Sequence, residues 1–212
     1  NYARLLIDVP WFISLDWQGE PGDYRAAQEA AARLDLILEA AAEYDVALQV
    51  VLLWHQSLDF YEGPPVAVPN TFPRPRIDVD WDDHPYNALN GGPLSGPGVF
   101  FFDAAAEALF RQRLRYIVAR WGHSPQIFAW EIVDQIDRVA NFDPAAADRW
   151  LRDTTSYLRS IDPHGHLISA GSRDNLPVTQ ANPLLDFTMG YFYQGLPAQT
   201  TGDATDGALA VI

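Results

Sequence analysis

The chain has 212 residues, 48% hydrophobic and 13% aromatic, which suffices for a sizeable core in one domain, and no apolar run approaches the roughly 18 residues of a membrane span. Its 28 acidic residues against 14 basic ones leave a net charge of -14, which repels phosphate backbones and anionic lipid and argues against nucleic acid or a membrane surface as partner, while neutral ligands stay open. The absence of cysteine removes disulfides, thiolate zinc sites and cysteine nucleophiles.

The chain begins in a strand pattern with neither a signal peptide nor an initiating methionine, so the natural N-terminus is expected upstream. Arg4 to Val9 is the first predicted strand, ended by Pro10 and feeding an aromatic loop that starts at Trp11. Asp23 is the expected cap of a helix whose apolar positions Ala27, Ala30, Ala31, Leu34, Ile37, Leu38 and Ala41 recur every three or four residues. Val46 to Trp54 is nearly continuously apolar, as a strand covered on both faces should be, and it ends at His55. Residues 55–102 hold 8 of the 16 prolines together with WDDHPYNALNGGP and read as a long ordered excursion. Asp103 caps the next helix, with Ala106, Phe110, Leu114, Ile117, Val118 and Trp121 inward and Gly122 just past its end.

Ile127 to Asp137, IFAWEIVDQID, predicts a buried strand that delivers Glu131, Asp134, Gln135 and Asp137 to a site. Asp143 and Pro144 then open a helix to about Ser160. His166 to Ala170 and Asp186 to Tyr193 are two more strands, and the tail from about residue 195 shows no core pattern and reads as unstructured. Strand–helix alternation predicts an α/β fold with a parallel sheet. Pro10 and Trp11 stand where a doubly wound sheet would carry a glycine-rich phosphate turn. Polar and aromatic residues instead gather at strand C-terminal ends (Asp8 with Trp11, Trp54 with His55, Asp134 with Gln135, Tyr191 with Tyr193), the signature of a (β/α)8 TIM-barrel. Such a barrel takes eight strands and about 250 residues, so residues 1–212 read as one incomplete barrel domain.

WDDHPYNALNGGP and FFDAAAEALFRQRLRYIVARWGHSPQIFAWEI resemble the cellulase-like clan A glycoside hydrolases, close to glycoside hydrolase family 5, from Asn1 to about Gln194. The resemblance implies that the chain holds barrel strands two to six, with strands one, seven and eight elsewhere, and that Arg4 and His55 are the family's site-supporting arginine and histidine. It implies export from the cytoplasm and action on β-linked glucan or mannan. It also exposes departures. The family's strand-four pair, an asparagine that holds the sugar 2-hydroxyl and a glutamate that is general acid/base, is replaced here by Asp134 and Gln135. The strand-six His-x-Tyr becomes Tyr191, Phe192, Tyr193, and the strand-seven nucleophile has no counterpart before Ile212.

A glutamine amide cannot transfer the proton that a retaining glycosidase requires, and Asp134, one residue away on a strand, should face the other way. Sugar binding needs only aromatic faces and a few placed polar groups. Trp11, Trp54, Trp81, Tyr86, Asn87, Asn90, Tyr191 and Tyr193 are the candidates beside Arg4 and His55. Trp54 and Tyr193 fit core or rim packing equally well, and Asn87 with Asn90 fit a purely turn-shaping position before Gly91. Glu131 reads as a buried partner of Arg4. His164 with His166 lacks a third ligand, and Asp78, Asp80, Asp82 and Asp83 lack a calcium-loop pattern, so neither metal nor cofactor is expected. Three readings follow: a glycoside hydrolase barrel that has lost its acid/base, a non-catalytic carbohydrate-binding pseudoenzyme, or a fragment with no function of its own.

Overall fold

A computed structural model describes residues 1–10, 12–60 and 81–191. Five strands, β1 (Tyr2–Leu6), β2 (Ala47–Val51), β3 (Ile127–Glu131), β4 (Leu167–Ser172) and β5 (Phe187–Gly190), form one sheet in the order β1-β2-β3-β4-β5. Every pairing is parallel. Helices α1 (Gln28–Glu43), α2 (Ala104–Trp121), α3 (Pro144–Ile161) and α4 (Leu176–Gln180) make the returns between successive strands. Parallel strands laid down in sequence order with a helix between each pair are the wall of a (β/α)8 barrel, here five strands of it.

The pleat sorts the side chains. Leu48, Val50, Leu52, Trp130, Ile132, Ile168 and Ala170 project into the core shared with Leu34, Leu38, Phe110, Leu114, Ile117, Leu151 and Leu158 of the helices. The opposite face carries Arg4, Gln49, Glu131 and Ser169, which the strand register sets close together. A polar inner face behind an apolar helix-covered face is what turns this wall into a site.

Local chemistry explains most element ends. Asp103 and Asp143 each accept two backbone N–H bonds of the following first turn, so both expected caps are present. Asp23 does not cap α1, which begins only at Gln28 without a side-chain cap, because Asp23 is taken by the guanidinium and N–H of Arg25. The first strand stops at Leu6 rather than Val9, since the Val9 N–H and carbonyl bond within a tight turn to Ile13 and Phe12. Gly122 closes α2 with φ -60°, not in a left-handed conformation; the glycine is required because a Cβ would lie 2.6 Å from the Val118 carbonyl. Helix α4 is missed by the sequence reading. Its approach, Arg173 to Asn175, is held by three successive N–H groups on the carboxylate of Asp137, 36 to 38 residues away.

In the long excursion, residues 55–60 and 81–102 form short 3-10 turns fixed by their own hydrogen bonds. Residues 61–80 and the tail, including the expected unstructured part from about residue 195, lie outside the described residues. Among the described residues no helix is long and apolar enough to cross a membrane.

Candidate active site

Glu131, the last residue of β3, is fully buried at the centre of the inner face. Arg4 holds it with two bonds, Nε to Oε2 at 2.6 Å and Nη2 to Oε1 at 2.8 Å. Gln49 Nε2 donates to Oε2 at 2.8 Å and the Tyr191 hydroxyl to Oε1 at 3.0 Å. Arg4 also stacks on the Tyr191 ring, 5.2 Å from its centroid. Burial pushes the Glu131 carboxyl up, and the bidentate Arg4 contact opposes that push. Burial alone would lower Arg4, yet the bonds and charge of Glu131 hold it above its ordinary value, so the pair is ionic. Glu131 is the buried partner of Arg4 that the sequence reading expected.

Beyond β3 the chain turns and Asp134 meets His55. Asp134 Oδ1 accepts the His55 N–H at 2.8 Å, and Oδ2 lies 2.8 Å from His55 Nδ1. Burial would raise the Asp134 carboxyl, but these bonds outweigh it and the group sits below the usual carboxylate range. An ionised carboxylate is acceptor-only, so Nδ1 carries the ring proton and Nε2 is left without a hydrogen-bond partner among the described residues. Gln135 is 7% exposed, and its amide likewise has no partner there.

Gly171 at the end of β4 makes this arrangement possible. A Cβ there would stand 1.8 Å from the Asp134 carbonyl oxygen and 2.6 Å from the Tyr191 ring. Gly171→Ala is therefore expected to push Asp134 and Tyr191 outward and to destabilise the fold by about 1–3 kcal/mol, read as a lower denaturant midpoint with unchanged m-value.

Behind the site, Arg113 from α2 reaches Asp8 Oδ1 (2.9 Å), Asp16 Oδ2 (3.3 Å) and the Leu52 carbonyl (2.8 Å). Asp8 in turn accepts the Trp54 N–H, and Tyr86 donates its hydroxyl to Asp16 at 2.9 Å. Burial raises Asp8 to about 6 against the pull of Arg113. His84 is enclosed by Trp17, Trp81 and Tyr86, and its Nδ1 accepts the Tyr86 N–H.

Burial lowers His84 to about 3, so it folds neutral. A base whose folded value is depressed contributes stability above its unfolded value near 6.5, and that stability is lost as pH falls toward 3. His84→Asn keeps an acceptor for the Tyr86 N–H without the titration. Relative to the variant, the parent is expected to lose up to about 1.4 kcal/mol of unfolding free energy per pH unit across that window, measured by urea titration.

The candidates thus separate. Arg4, His55, Asp134, Gln135 and Tyr191 converge at the C-terminal end of the sheet. Trp54 lies next to them and is 7% exposed. Trp81, Tyr86 and Asn87 are buried in the excursion's own packing rather than open to a ligand. Asn87 donates to the Trp81 carbonyl and accepts the Leu89 N–H, and exposed Asn90 donates to the Asp82 and His84 carbonyls, so both side chains serve the turn. Trp11 and Tyr193 lie outside the described residues. Gln49, Asp16, Arg113 and His84 escape the sequence reading, whereas Asp8 is among the polar residues expected at the strand ends. Only Arg113 leaves a trace there, sitting on the apolar face of α2 between Phe110 and Leu114. A cavity of about 470 Å³ between the C-terminal ends of α2 and α3, lined by Arg115, Val118, His123 and His164, is at the other end of the strands and takes no part. Among the described residues no cluster of metal-ligating side chains occurs.

No family model matches the chain. Mannan endo-1,4-beta-mannosidase 2 of Oryza sativa subsp. japonica is 23% identical over 206 residues, which are 90% of this chain and 42% of that protein. An exo-beta-1,4-mannosidase from Opitutaceae bacterium strain TAV5 superposes with a TM-score of 0.62 at 18% identity, over 91% of this chain and 32% of the other. The chain shares the (β/α)8 barrel fold of these glycoside hydrolases and is similar in sequence to mannan endo-1,4-beta-mannosidases. The endo-beta-1,4-mannanase from Thermotoga petrophila shares the fold as well, with a TM-score of 0.54 at 17% identity over 75% of this chain and 36% of that one. The chain therefore spans less than half the length of these relatives. Just beyond β3, this chain carries Asp134, held below the usual carboxylate range, followed by the amide of Gln135.

Proposed function

We propose that the chain forms part of a cleft for β-linked polysaccharide of the mannan type, in which position 135 holds the glycosidic oxygen without protonating it. The observation that carries this reading is the Gln135 amide, nine-tenths buried and without a partner among the described residues, beside an Asp134 that is ionised and fully engaged. An amide N–H can donate a hydrogen bond to the bridging oxygen, but it has no proton to give up near neutral pH. Support for the ligand comes from the relatives, which are named for mannan and β-1,4-mannoside. Arg4, Trp54, His55 and Tyr191 form the surrounding wall, with Trp11 and Tyr193 as further candidates for stacking. The outer edges of β1 and β5 have no partner strand among the described residues and take the remaining strands of the barrel.

The same amide favours a second reading, a carbohydrate-binding pseudoenzyme that keeps the cleft without turnover. Calorimetric titration of the complete protein with β-1,4-mannohexaose tests the shared part of both. Saturable binding, weakened roughly three- to tenfold by Gln135→Ala, is the expected result. A folded protein that takes up no heat with mannohexaose or cellohexaose refutes the glycan reading.

A further inference from the structure

We infer that His55, oriented by Asp134, is the proton donor of this site in place of residue 135; the inference rests on the β-glycan reading above. Each other ionisable side chain at this end of the described sheet is occupied. Glu131 is enclosed by Arg4, Gln49 and Tyr191. Asp8 is sealed against Arg113 and the Trp54 N–H. Asp134 gives both oxygens to His55. His55 differs in that one ring nitrogen is fixed and the other has no partner among the described residues, with its own backbone N–H pinned to the same carboxylate. The turn that carries it, His55–Leu58, packs on the turn after Gln135, and the Ala140 N–H donates to the Leu58 carbonyl at 3.0 Å. The charged and titratable groups facing the pair are Glu131, Arg4 and Tyr191.

Imidazole both gives and takes protons near neutral pH, and the Asp134 carboxylate on Nδ1 fixes which nitrogen faces outward. As the bond from the anomeric carbon to the bridging oxygen breaks, its electron pair passes to that oxygen and the Nε2 proton follows it. Neutral imidazole remains, with Nδ1–H still on Asp134. Water attacks the anomeric carbon and returns its proton to Nε2, so one glycoside and one water give two sugars and the ring is restored. Gln135 positions the bridging oxygen throughout.

A leaving group that needs no proton separates this role from a structural one. In the complete protein, His55→Gln is expected to slow hydrolysis of mannohexaose by about 10²- to 10⁴-fold, yet change that of 2,4-dinitrophenyl β-mannoside less than about tenfold. Asp134→Asn, close in shape, should show the same split at smaller size, so a misfolded His55 variant does not leave the question open. Equal losses on both substrates, or no loss on either, overturn the inference. Binding of mannohexaose with no hydrolysis by the parent overturns it too while leaving the glycan reading intact. Absence of binding by the folded protein defeats the glycan reading itself.

Discussion

Gln135→Glu in the complete protein is expected to raise mannan hydrolysis by about 10²-fold, the lower end of what general acid/base help supplies. The new carboxyl would stand next to an Asp134 that His55 holds ionised. A neighbouring negative charge disfavours ionisation, and so does burial, here at 7% exposure. Both push the new glutamate toward the protonated form that an acid needs at neutral pH. If His55 already donates a proton, the gain should be larger in a His55→Gln background than in the parent, because the two groups then act on one step and do not add. Reducing-sugar release from β-1,4-mannan by the four proteins of this cycle measures it. No gain from the glutamate in either background would mean that position 135 does not face the bridging oxygen.

The legible part of the molecule is the part written in local chemistry. IFAWEIVDQID announces β3 because its apolar half precedes a polar end, and Asp103 and Asp143 announce helices because an N-cap acts within three residues. The expected partnership of Glu131 with Arg4 is present. The alternation of a strand does not carry beyond it. Strand pairing ends at Glu131, and the turned segment from Ile132 brings Asp134 onto His55, a contact across 79 residues that no window around either residue reveals. The same limit hides α4, whose approach is held by Asp137 from the preceding loop. It also explains why Trp81, Tyr86 and Asn87 read as ligand contacts: aromatic and amide residues in a loop look alike whether they face a sugar or each other. Their burial follows from His84 and Asp16, which supply the polar partners that let the excursion fold in on itself.

Arg113→Met is expected to cost about 3–5 kcal/mol of folding free energy at neutral pH, the largest effect on stability among the single substitutions considered. Arg113 is buried and is the cation within ion-pair distance of both Asp8 and Asp16, two carboxylates that are themselves buried. Methionine fills much of the volume, leaves both carboxylates uncompensated and strands the Leu52 carbonyl that Arg113 Nη2 satisfies. The pH dependence has a definite sign. Burial already lifts Asp8 from its model-peptide value of 3.8 to about 6, and a raised folded value contributes stability at low pH that is lost as pH rises through 6. Without Arg113 the lift grows, so the difference between variant and parent should be larger at pH 7.5 than at pH 4.5, where Asp8 folds protonated in both. Asp8→Asn in the Arg113→Met background should recover part of the loss at pH 7.5 and little of it at pH 4.5. Urea titrations of the three proteins at the two pH values read this directly. A deficit that does not vary with pH would show that Arg113 supports the strand ends through packing and its bond to Leu52 rather than through charge.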